Sequence, residues 1–122
     1  MTKRSSETGK IGEDIAYAYL KNNHYSIIER NFREKWGEID IVAKHKDGTL
    51  IFVEVKTMQE NENLNPEDHL TRGKLERLQR TASLYANHHT DLVSDKKGWR
   101  IDLVAIEIKN DGVNNLRHFE NI

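Results

Sequence analysis

The sequence of 122 residues predicts an α/β domain in which helices flank a mixed β-sheet, in the order α-β-β-β-α-β-β. Three observations predict it. Two segments with helical periodicity, 7–22 and about 70–87, are separated by short apolar runs. The stretch GEIDIVAKHKDGTLIFVEVKT, Gly37 to Thr57, reads as two such runs joined by a Lys-Asp-Gly turn. Near the C-terminus, WRIDLVAIEIK has the β-branched composition of a strand.

Taken in order, Ile11, Ile15, Ala16, Tyr19 and Leu20 fall within one arc at the helical period, and Asn22-Asn23 supplies a stop. YSIIER, Tyr25 to Arg30, is a short strand, followed by the irregular NFREKW. The hairpin supplies strands near 38–44 and 50–57. Residues 59–69 are polar, hold the only proline, and read as a mobile loop. The second helix runs from about Leu70 to Asn87, with Leu75, Leu78, Ala82 and Tyr85 on its core side and Gly73 weakening its first turn. After strand 99–109, Asn110-Asp111-Gly112 turns the chain into a last strand near Leu116 to Phe119. No repeat or linker divides the chain, so a single domain over 1–122 is expected.

Composition narrows the class. There is no cysteine, which excludes disulfides and thiolate metal sites. No apolar run approaches a membrane span, and MTKRSSETGK lacks the apolar stretch of a signal peptide, so a soluble cytoplasmic protein is expected. Net charge is only −1, yet basic residues cluster at Arg30/Arg33/Lys35 and Arg72/Lys74/Arg77/Arg80. Singly, such clusters are solvated faces; gathered in space they would form a phosphate track.

The hairpin carries acid where a core strand should carry none. Glu54 and Lys56 are two apart, so they share a face. A two-residue turn would send Asp40 to the opposite face. A three-residue loop, Lys46-Asp47-Gly48 with Gly48 left-handed, instead pairs His45 with Thr49 and sets Asp40 across from Glu54. This register also gathers Ile39, Ile41, Ala43, Ile51, Val53 and Val55 on the other face, and that pattern selects it. Two carboxylates roughly 5 Å apart at Cβ repel, and a divalent cation is the simplest compensation. Oxygen ligands suit Mg2+ or Mn2+. The plain alternative is a solvated ion pair between Lys56 and one acid.

GEIDIV…FVEVK resembles the motif core of the PD-(D/E)XK, or restriction-endonuclease-like, nuclease superfamily. With GKIGEDIAYAYL, ERNFR and RIDLVAI, the chain is more closely similar to the YraN-like family of small bacterial proteins. Archaeal Holliday-junction resolvases are similar in size and motif order. The resemblance implies a restriction-endonuclease-like fold. It further implies Asp40 and Glu54 as metal ligands, with the Val55 carbonyl a third. It makes Lys56 the residue that orients or helps deprotonate the attacking water, and matches Glu13 to the N-terminal acid of the superfamily, which reaches the metal directly or through water. It also puts Lys74 near phosphate. Two positions depart from the pattern: Ile39 stands for the proline that names the superfamily, and Met58 stands where a basic residue follows the motif.

From position alone, Arg30 and Asn31 leave the first strand toward the motif end and are candidate contacts to a nucleic-acid backbone, as is Arg77 on the second helix. Asp102 is expected to pair with Arg100 or Arg30. Glu38 points away from Asp40, and His88-His89 is expected to be exposed at a helix exit, not a zinc site. The leading expectation is a metal-dependent endonuclease acting on DNA, branched DNA included; a resolvase that cuts two strands would need a homodimer. The competing classes are a non-catalytic nucleic-acid-binding or assembly module, and a structural protein whose acids form only an ion network.

Overall fold

The computed structural model describes residues 3–60, 70–112 and 114–122. Helix α1 (Lys3–Asn22) leads into β1 (Tyr25–Glu34), β2 (Gly37–His45) and β3 (Leu50–Gln59). Helix α2 (Arg72–His88), a short 3-10 turn at Thr90–Leu92, β4 (Trp99–Ile108) and β5 (Asn114–Phe119) complete the order. The expected α-β-β-β-α-β-β arrangement holds. The five strands form one sheet in sequence order, antiparallel except for the parallel pair β3 and β4. That parallel pair needs a crossover, and α2 lies within it.

The sheet is covered on both faces. On one, Ala16 and Leu20 of α1 pack on Ile41, Ala43, Ile51, Val53, Val104 and Ile106. On the other, Leu78, Ala82 and Tyr85 of α2 pack on Val42, Leu50, Phe52 and Ile101. Alternate residues of β2 and β3 thus feed two cores, which is why both hairpin strands read as nearly continuous apolar runs.

The hairpin closes as the three-residue loop requires. His45 N donates to Thr49 O at 2.9 Å, Gly48 N donates to His45 O at 2.9 Å, and Gly48 has φ +100°. Any side chain at Gly48 would be strained there. Ile41 pairs with Val53 and Ala43 with Ile51, the register that sets Asp40 across from Glu54.

Several local expectations change. Strand β1 continues through the segment that reads as irregular, reaching Glu34 by way of a bulge between Ile27 and Glu29 and a left-handed Asn31 at φ 55°. The Asn31 conformation breaks face alternation: Arg30 lies toward α1, whereas Phe32 packs in the α2-side core. Ile39, paired with Phe32, follows it into that core instead of joining Ile41. Ile11 is 52% exposed rather than core-facing. Helix α2 begins at Arg72, two residues later than expected, because Thr71 caps it by accepting from Lys74 N at 3.2 Å. The proline-containing loop expected over 59–69 lies outside the described residues from position 61 onward; Gln59 itself still belongs to β3. Among the described residues no helix is long and apolar enough to cross a membrane.

Candidate functional site

Strands β2 and β3 pair from Lys44↔Leu50 to Ile41↔Val53, and the ladder stops there. Beyond it, Val55 N donates to Asp40 Oδ2 at 2.8 Å, so a side chain takes the place of a strand carbonyl. Asp40 and Glu54 lie close enough, where the strands part, for the charge of Glu54 to act on the Asp40 carboxyl. This end of the sheet opens into a cleft of about 1250 Å³ between the first halves of α1 and α2. Asp40, Glu54, Val55, Lys56 and Glu13 all line it.

Helix α1 reaches the cleft because Gly12 lets it lie directly on β3. A Cβ at Gly12 would stand 1.8 Å from Thr57 Oγ1. The close approach puts Glu13, 14% exposed, near enough for its charge to act on Asp40. Arg30 holds Glu13 through Nε at 3.3 Å and Asp14 through Nη2 at 2.6 Å, and its guanidinium lies 4.8 Å from the Tyr17 ring centre. The expected contact residue Arg30 is therefore at the cleft with two acids already on it. Asn31 is exposed at the cleft edge.

From the other side, Lys74 Nζ sits 2.7 Å from Glu54 Oε2. Arg77 and Arg80 follow Lys74 on α2 at three-residue spacing and line the same cleft, as does Arg33. Among the described residues, Lys56, Arg33, Arg77 and Arg80 have no acidic partner within ion-pair distance. The helical spacing of Lys74, Arg77 and Arg80 is a signal the sequence carries; Arg33, Trp36 and Asp14 reach the cleft through the fold and had no such signal.

Burial and the neighbouring Glu54 charge push the Asp40 carboxyl up to about 8, although the Val55 N–H opposes the shift. Glu54 has Lys74 and Glu13 has Arg30, whereas Asp40 has no cation on it among the described residues and is the acid driven toward its protonated form.

This donor set can be tested against a divalent cation. Among the described residues no group of three His, Cys, Asp or Glu side chains is placed to hold a metal. Two carboxylates on one cleft, with the Val55 backbone beside them, nevertheless match the sparse coordination of Mg2+, which keeps several waters and takes one or two carboxylates. The residues fit such an ion through Asp40 and Glu54.

Remaining expectations resolve by geometry. Asp102, fully buried, is held by Arg100 Nε at 2.9 Å, His118 Nε2 at 2.7 Å and the Asn121 N–H at 2.9 Å, away from the cleft. His88 is exposed, but His89 stacks on Tyr85 with ring centres 4.2 Å apart and is partly buried. Met58 is 4% exposed, so that position serves packing and offers no phosphate contact.

Residues 12–106 match the model of a family described as "Uncharacterised protein family UPF0102". A UPF0102 protein of Persephonella marina is 39% identical over 113 residues, 93% of this chain and 90% of that one. One from Roseiflexus castenholzii is 40% identical over 108 residues, 88% and 85% of the two chains. A third, from Syntrophomonas wolfei, is 35% identical over 115 residues, 94% and 96% of the two chains. Among solved structures, Pyrococcus furiosus SfsA in complex with Ca2+ is similar at a TM-score of 0.41 and 17% identity, over 95% of this chain and 63% of that one. A likeness of that size carries no argument.

Proposed function

The chain belongs to the UPF0102 family, and from its own residues we propose that it is a metal-dependent nuclease of the PD-(D/E)XK type, acting on nucleic acid and on DNA in the first place. The observation that carries this reading is the meeting of Asp40 and Glu54 at the parted strand ends. Two acids brought close on an open cleft against their repulsion are costly in a purely structural role. The surrounding cations support the same reading, because a phosphodiester brings negative charge and Arg33, Arg77 and Arg80 stand on the cleft with no acidic partner among the described residues.

Each residue then has a task. Asp40 and Glu54 would hold Mg2+ or Mn2+, with the Val55 carbonyl and Glu13 beside them. When bound, the ion polarises a phosphoryl oxygen and makes water more acidic. Lys56 follows Glu54 by two residues on the same strand, so its ammonium reaches the same cleft. It orients the attacking water and offsets charge that develops on the phosphoryl oxygens. Arg77 and Arg33 fix the backbone in register without reading sequence.

The test is divalent-dependent cleavage of linear, nicked and branched DNAs by wild type, Asp40→Ala and Lys56→Ala. Cleavage by the wild type that both substitutions remove is expected. A non-catalytic nucleic-acid-binding module is the second reading, favoured by the absence of a three-carboxylate set among the described residues. Tight binding without cleavage under any divalent ion would establish it instead.

A further inference from the structure

The tip of the β1–β2 hairpin brings an aromatic side chain to the cleft that the acid site does not use. Trp36 is partly exposed and lines the cavity that holds Asp40 and Glu54. Its position is fixed from two sides. The indole ring lies 5.4 Å from Phe32 of β1 and 6.1 Å from His88 of α2, centre to centre. Phe32 in turn meets the buried Tyr85 edge-on at 5.0 Å. Next to Trp36, Gly37 has φ +155°, and a Cβ there would stand 2.0 Å from Thr81 Oγ1. The hairpin tip is thus pressed onto α2, and the ring does not swing with a free turn.

An indole at this place could be no more than the cap of the aromatic stack. The surroundings argue for more. The same cleft is lined by Arg33, Arg77 and Arg80, which have no acidic partner among the described residues. An aromatic ring and guanidinium groups on one cleft are the elements that hold a nucleobase by stacking and its flanking phosphates by charge. In a regular duplex the base faces are already stacked on one another. Only an unpaired base can lie on the ring.

We propose that Trp36 is a base-stacking site, and that the substrate class is nucleic acid with an unpaired nucleotide close to the phosphate that is cut. This rests on the nucleic-acid reading above and narrows it to single strands, flaps, junctions or frayed ends.

Trp36 and Trp99 are the only tryptophans, so Trp99→Phe leaves Trp36 as the sole reporter. That variant is titrated at low salt, without divalent ions, with an oligothymidylate and with a hairpin-capped duplex of equal length. Indole fluorescence is read together with the anisotropy of a dye on the DNA. The single strand is expected to quench the indole and the capped duplex to leave it unchanged. In the otherwise wild-type chain, Trp36→Leu keeps an apolar cap on Phe32 but removes the stacking face. It should weaken single-strand binding about tenfold and duplex binding less than twofold, with Trp36→Phe recovering most of the loss. Anisotropy that reports single-strand binding without quenching overturns the proposal, as does single-strand binding by Trp36→Leu at wild-type strength. Absence of binding to either DNA overturns the nucleic-acid reading and this one with it; duplex binding alone overturns only this one.

Discussion

The Nζ of Lys74 lies 2.7 Å from Oε2 of Glu54, joining the first turn of α2 to the acid pair on the sheet. Glu54 is 13% exposed and Lys74 42%, so the pair is a link between a buried acid and a half-exposed cation. It carries little stability, because solvent screens the lysine. Its consequence is electrostatic. An ion bound at Asp40 and Glu54 would meet a positive charge already in place, and Lys74 would have to leave Glu54 to admit it.

Lys74→Met should therefore tighten Mg2+ or Mn2+ binding by a few-fold when no nucleic acid is present, by removal of a competing charge. The same change should weaken binding of nucleic acid. Calorimetric titration of wild type and Lys74→Met with the metal alone measures the first effect. Weaker metal binding by Lys74→Met would mean that the lysine props the acid geometry instead of competing for it.

Asp40 gives a pH prediction with a definite sign. An unfolded aspartate releases its proton near pH 4, whereas the folded chain holds it up to about pH 8. Stability present below that window is lost as pH rises through it, because the folded protein retains a proton that the unfolded chain gives up. Asp40→Asn lacks this loss. Its advantage over the metal-free wild type should grow from about pH 4 and level off above pH 8, at up to about 1.4 kcal/mol for each unit between the two values. Urea denaturation in the presence of a chelator measures it, and an advantage that does not depend on pH would refute the assignment. Mg2+ should raise the melting temperature of the wild type and leave Asp40→Asn unmoved.

The hairpin was legible because its information is local. Alternation, the Lys46-Asp47-Gly48 turn and the spacing of Glu54 and Lys56 all lie within a few residues, and together they fixed the Asp40 register. Ile39 was misplaced because its face depends on Asn31 in the neighbouring strand, whose left-handed backbone turns that end of the sheet. Arg30 on Glu13 and Lys74 on Glu54 depend on how helices seat on strands far away in sequence. The Gly12–Thr57 approach decides the first of these, and a helical glycine by itself looks only like a weak point.

Two cations should separate binding from turnover. Arg77→Glu is exposed and unpaired among the described residues, so the change should lower affinity for all sequences alike and flatten the dependence of affinity on salt. Lys56→Ala should leave binding within a few-fold and abolish cleavage, because its ammonium acts on the reacting groups. Filter binding across a salt series and single-turnover assays distinguish them. Equal loss of binding in both variants would place Lys56 among the phosphate contacts.

Asp102 tests the fold apart from the cleft. Burial alone would raise its carboxyl, but hydrogen bonds from His118, Arg100 and the Asn121 N–H outweigh burial and hold it below its ordinary value. Such a group contributes stability that is present above about pH 4 and lost as pH falls through its folded value, opposite in sign to Asp40. Asp102→Ala leaves the Arg100 guanidinium, 20% exposed, and His118, 9% exposed, without their common acceptor. It also removes the partner of the Asn121 N–H that ties the C-terminal residues to β4. A loss of roughly 3 kcal/mol is expected at pH 7. Because Asp102 does not line the cleft, the remaining folded molecules should bind nucleic acid and metal as the wild type does. Denaturation and binding measured on the same samples decide this: weakened binding by fully folded protein would show that the network reaches the cleft.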